Sequence, residues 1–72
     1  MVNNPVGQST ATSMQRLAAL RGVSSLIEWR DSENSYFASL VLPDGSLSEP
    51  TRCGQSIKGV EDWLNRQPGV KP

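Results

Sequence analysis

Seventy-two residues make one small domain and no more, and a domain of that size buries only about 60% of the surface its unfolded chain exposes. Seven basic residues balance seven acidic ones, which removes the strong positive field that drives tight non-specific binding to nucleic acid or to an anionic membrane. There is no histidine and a single cysteine, Cys53, so an internal disulfide is excluded, and so are the usual zinc ligand sets.

The first residues, 1–11, are small and polar and include Pro5 and Gly7. Lacking a periodic apolar pattern, they read as a flexible N-terminal arm. The start shows neither the basic segment nor the apolar segment of a signal peptide, and no apolar run approaches the ~20 residues of a membrane span. With one unpaired thiol, these features point to a reducing, cytoplasmic setting.

One domain is expected over residues 12–67. A short helix fits Ser13–Arg21, capped by Thr12 or Ser13, docked through Met14, Leu17 and Leu20, and stopped at Gly22. A strand follows from Val23 to Arg30, with Val23, Ser25, Ile27 and Trp29 on one face and Ser24, Leu26, Glu28 and Arg30 on the other. After a polar turn at Asp31–Ser35, Tyr36–Leu42 is the most apolar segment and reads as the central strand. Pro43-Asp44-Gly45 carries the residues a tight turn needs. The third strand spans Ser46–Cys53 and belongs at an edge, because Pro50 cannot donate to a ladder. Ser56 then caps a last helix whose Ile57, Val60, Trp63 and Leu64 form one apolar stripe. Gly59 interrupts it at a cost of about 1 kcal/mol relative to alanine, which points to close contact with the sheet. Residues 68–72 form a C-terminal tail.

The fold class is therefore α+β: a three-stranded antiparallel meander packed by the C-terminal helix, in the order α-β-β-β-α. The N-terminal helix either joins the last helix or covers the opposite face of the sheet.

Catalytic chemistry finds little footing here. Without histidine the commonest general base is missing, and Cys53 has no partner to activate it. No serine lies in a GxSxG or SxxK motif, and Gly54–Gly59 does not have the spacing of a phosphate loop. Glu61 and Asp62 are adjacent on a helix and diverge by about 100°, while Glu28, Asp31 and Glu33 surround a turn where solvated charges are expected. No enzyme activity, cofactor or metal is expected.

The aromatic residues carry the open questions. Trp63 and Trp29 each serve either as a core anchor or, more for Trp29, as a partner-binding residue. Tyr36 and Phe37 are strand neighbours and cannot share a face, so one enters the core and the other lies near Trp29 or Glu28 on the second face. Arg30, Arg52 and Lys58 either gather at one end of the sheet or are dispersed among Glu28, Glu49 and Glu61.

Two resemblances bear on function. Three antiparallel strands and a helix over Ser24–Asn65, with aromatics on the sheet, resemble the arm-type DNA-binding domains of integrases and the plant AP2-type domains. These insert a sheet into the major groove; here the strand bases are Arg30 and Arg52. The string Ser56-Ile57-Lys58-Gly59-Val60-Glu61-Asp62-Trp63-Leu64 is similar to a helix of the small phage-encoded anti-CRISPR proteins. That resemblance implies a phage or mobile-element inhibitor that binds a larger host complex. The expected role is thus a protein-binding module, with Glu28, Trp29, Arg30, Tyr36, Lys58, Glu61 and Asp62 as the contact set. The alternatives are nucleic-acid binding through the sheet, using Arg30, Arg52, Tyr36 and Lys58, and self-association by pairing of the Val23–Arg30 edge, giving a homodimer.

Overall fold

The computed structural model describes residues 6–72. Helix α1 (Val6–Leu20) leads into strand β1 (Ser25–Arg30), a 3-10 turn at Asp31–Glu33, strand β2 (Ser35–Leu40), strand β3 (Thr51–Gly54) and helix α2 (Ile57–Asn65). The sheet is an antiparallel meander in the order β1-β2-β3, so β2 is central. The α+β fold and its α-β-β-β-α order are those the sequence predicts.

Helix α1 starts well before Ser13. Residues 6–11, expected to belong to a flexible arm, are helical, and residues 1–5 of that arm lie outside the described residues. Thr12 and Ser13 consequently sit inside the helix and cap nothing; the Thr12 hydroxyl donates back to the Gln8 carbonyl. The longer helix also turns a different face to the core. Ala11, Met14 and Ala18 are buried, whereas Leu17 and Leu20 are exposed. Small side chains bring the helix backbone close to β1, and Gly7 goes further: a Cβ there would stand 2.7 Å from the Trp29 ring.

The end of α1 is read correctly from Gly22, which has φ +85. The Val23 amide bonds the Ala18 carbonyl and the Gly22 amide bonds the Ala19 carbonyl, the paired bonds of a Schellman stop. Arg21, one residue earlier, anchors the other end of the chain. Its Nε donates to the Lys71 carbonyl and its Nη2 to Asn65, while the Lys71 amide returns a bond to the Arg21 carbonyl. Val70 packs on the core cluster. Val70 and Lys71 in the C-terminal tail are thus tied to the domain.

The strand at Ser46–Cys53 exists in two pieces. Leu47 bridges Val41, and Ser48 exchanges bonds with Leu40 through its amide and its hydroxyl. Regular pairing then lapses around Pro50 and resumes at Thr51. The tight turn before it is closed by Gly45, whose amide bonds Leu42, and the Asp44 carboxylate accepts bonds from the Ser46 hydroxyl and amide. Those two bonds hold the Asp44 carboxyl below its usual range.

Helix α2 buries Val60, Trp63 and Leu64. Ile57, expected on the same stripe, is the first residue of α2 and is 46% exposed. Ser56 occupies the N-cap position with extended backbone, but its side chain makes no capping bond. Both helices pack on one face of the sheet, and the core is a single cluster that joins Ala11, Met14 and Ala18 to Ile27, Tyr36 and Ala38 and to the stripe of α2.

Gly59 is where α2 touches the sheet most closely: a Cβ there would overlap the backbone carbonyl of Cys53. Replacing Gly59 by alanine gains about 1 kcal/mol of helix propensity, but intrusion into a packed site costs about 1–3 kcal/mol and a backbone carbonyl cannot rotate away. Gly59→Ala is expected to lower the urea midpoint, with a net loss of up to roughly 2 kcal/mol. An unchanged midpoint would mean that β3 yields to admit the methyl group.

Candidate functional surface

Cross-strand partners in an antiparallel pair share a face, so the register assigns every sheet residue to one side. Ser25, Ile27, Trp29, Tyr36 and Ala38 point towards the helices. Leu26, Glu28 and Arg30 of β1, Ser35, Phe37 and Ser39 of β2, and Arg52 of β3 form the other face. No described helix covers it, although Ser35 and Ser39 within it are buried.

This arrangement divides the seven residues singled out from the sequence. Tyr36 is buried, and its ring meets Trp29 edge to face at a centroid distance of 4.8 Å. Trp29 is half-buried under Gly7, and its indole Nε1 donates to Asp31 at 2.6 Å. Both therefore belong to the helix-covered side, apart from Glu28 and Arg30. Glu28 and Arg30 do lie on the open face. Lys58, Glu61 and Asp62 are exposed on α2, with Lys58 and Asp62 paired at 3.1 Å, but they point away from the sheet on the opposite side of the fold. Such an exposed pair contributes about 0–1 kcal/mol. The same division separates the proposed nucleic-acid set: Arg30 and Arg52 share a face, while Tyr36 and Lys58 do not join them.

Phe37 is the residue the sequence left undecided. It lies on the open face, directly opposite Glu28 on one side and Arg52 on the other. The Arg30 guanidinium sits 4.1 Å from the Phe37 ring centroid and bonds Glu28 through both Nε and Nη2. Arg52 is held from the other flank, its Nε donating to the Ser35 hydroxyl and its Nη2 to the Glu33 carbonyl. Towards the opposite end of the sheet the surface is apolar. Leu26 is 38% exposed, Val41 39% and Leu47 49%, with Val41 and Leu47 bridged. The open face is therefore a charged and aromatic half joined to an aliphatic half.

The strand edge proposed for self-pairing is occupied. The outward amide of Ile27 bonds the Gln15 side chain at 2.9 Å, and that of Trp29 bonds the Gln8 side chain at 3.4 Å. Both glutamines come from α1, so two of the donors an added strand would need are already satisfied. Beside this edge, Gln15, Arg16, Ala19, Ser24, Ser25 and Val41 line a shallow groove of about 360 Å³. It brings together one guanidinium and two hydroxyls, with no carboxylate or thiol.

Among the described residues, no three His, Cys, Asp or Glu side chains are grouped so as to hold a metal ion. No described helix is long and apolar enough to cross a membrane. No family model matches this chain, and no curated protein or solved structure matches it either.

Cys53 is half-buried at the β3 bulge against the core cluster. Burial raises its thiol above the ordinary value, an effect that Arg66 partly offsets. A thiol raised on folding favours the protonated state, so its contribution to stability is intact below the unfolded pKa and is lost as pH rises through the folded one. At pH 8 iodoacetamide is expected to alkylate the folded protein at least ~10-fold more slowly than the urea-unfolded chain. Equal rates would show that the thiolate is accessible and the burial argument is wrong.

Proposed function

We propose that this chain is a non-enzymatic protein-binding module whose contact surface is the open face of its sheet. The observation that carries this reading is the exposed aliphatic group Leu26, Val41 and Leu47, on the same face as Phe37 and the Glu28, Arg30 and Arg52 charges that surround that ring. Exposed apolar side chains joined to an aromatic residue and charges of both signs are the ingredients of a protein contact. Its concrete form is a phage or mobile-element inhibitor of the anti-CRISPR kind, which docks on a larger host complex and occupies a surface that complex needs. The resemblance in Ser56–Leu64 supports that form, although Val60, Trp63 and Leu64 serve the core. What remains outside for a partner in that stretch is Lys58, Glu61 and Asp62.

A second reading has one observation in its favour: two guanidiniums, Arg30 and Arg52, flank Phe37 on the open face. That is a combination of cations and a stacking platform suited to a nucleic acid. Glu28, bonded to Arg30, opposes it by placing a carboxylate directly beside Phe37.

The two readings separate in one experiment with the tagged protein and host-cell lysate. A protein partner is expected to remain bound in high salt. Leu26→Asp or Val41→Asp should weaken its capture at least about 30-fold, equivalent to roughly 2 kcal/mol at a contact hot spot, while Lys58→Ala and Asp62→Ala leave it unchanged. Release of nucleic acid alone, with affinity collapsing as salt rises, would overturn the protein-docking reading. Sensitivity confined to the α2 variants would move the contact to the other side of the fold.

A further inference from the structure

The open face carries its own complement. Glu28, Phe37 and Arg52 lie opposite one another on three adjacent strands and form a row with an anion at one end and a cation at the other. Neither end is saturated. Both bonds from Arg30 fall on Glu28 Oε1, and Oε2 accepts none among the described residues. Arg52 is held in place by two neutral oxygens, and no described carboxylate pairs with it. A fixed guanidinium with neutral supports retains both its charge and its direction, and it is poised for a carboxylate arriving from above.

We infer that, in the absence of another partner, this face is covered by a second copy of the chain. The inference rests on the same reading of the open face as a contact surface. A two-fold axis parallel to β2, midway between two facing sheets, places β1 of one copy over β3 of the other. Each Glu28 then stands across from the second copy's Arg52, so the pair is made twice. Val41 meets its own equivalent near the axis, and Leu26 approaches the second copy's Leu47. Such an interface is isologous, with each residue and its partner exchanging roles. Facing sheets lie about 10 Å apart, a gap that a glutamate and an arginine span together. The charge pattern favours this occupant over a nucleic acid or a surface of one sign. A phosphate backbone would set negative charge against Glu28, and a surface of one sign would leave one end of each row unmatched.

Sedimentation equilibrium over a concentration series at low salt tests this. The wild-type protein is expected to pass from monomer to dimer. Glu28→Lys gives a row with two cations and Arg52→Glu a row with two anions. Each variant alone should associate at least ~10-fold more weakly, and an equimolar mixture of the two should recover the dimer. Circular dichroism on each variant separates a lost contact from a lost fold. A wild-type chain that stays monomeric up to its solubility limit would overturn the proposal. So would a dimer indifferent to both substitutions, or folded variants that fail to rescue one another. The two readings fail separately. A monomer whose captured partner is lost in Leu26→Asp leaves docking standing without self-association. A charge-rescued dimer whose partner capture survives Leu26→Asp does the reverse.

Discussion

The closeness with which two helices approach one side of a three-stranded sheet governs the rest of this molecule. Gly59 lets α2 lie against the Cys53 carbonyl, Gly7 lets α1 lie against the Trp29 ring, and Ala11 and Ala18 keep α1 close along its length. Larger residues at these places would lift the helices and open gaps where contact atoms are now shared. With both helices on one face, the core closes as a single cluster. The cost is that the other face has no layer to cover it. Among the described residues there is no further element to supply one.

That uncovered face explains why the polar and apolar residues of the strands are distributed as they are. A fully solvated sheet face is ordinarily polar along its length. Here the polar end is an organised set, with Arg30 bridging Glu28 and Phe37 and Arg52 locked to Ser35 and Glu33. The aliphatic end is left bare. If a second copy and a larger partner use the same face, they exclude each other. The apparent affinity for the partner then falls as the chain's own concentration rises, by mass action.

Much of the fold is legible in the residues themselves. Gly22, Pro43-Asp44-Gly45 and Pro50 mark a helix stop, a turn and a strand break because each has a backbone property no neighbour shares. The spacing of Val60, Trp63 and Leu64 identifies the buried stripe of α2 in the same way. The start of α1 was hidden because its buried face is built from glycine and alanine, which carry little hydrophobic signal, while Leu17 and Leu20 draw attention to the wrong side. The candidate surface was only half legible for a related reason. Alternation along β1 and β2 sorts residues into two faces, and it places Tyr36 and Phe37 on opposite ones. It does not reveal which face the helices choose. That choice turned Trp29 and Tyr36 inward and left Phe37 and Arg52 outside.

The two glutamines that α1 extends to the edge of β1 give the helix a protective duty beyond packing. While Gln8 and Gln15 hold the Trp29 and Ile27 amides, the edge offers little purchase to a foreign strand. Any fluctuation that lifts α1 removes both bonds together and bares the apolar residues beneath it. The partly opened molecule therefore presents unsatisfied strand amides and greasy surface in the same instant, the two ingredients of cross-β aggregation. Heating that merely loosens α1 thus exposes both before the sheet itself melts, so a helix that contributes no strand to the sheet guards the edge of that sheet.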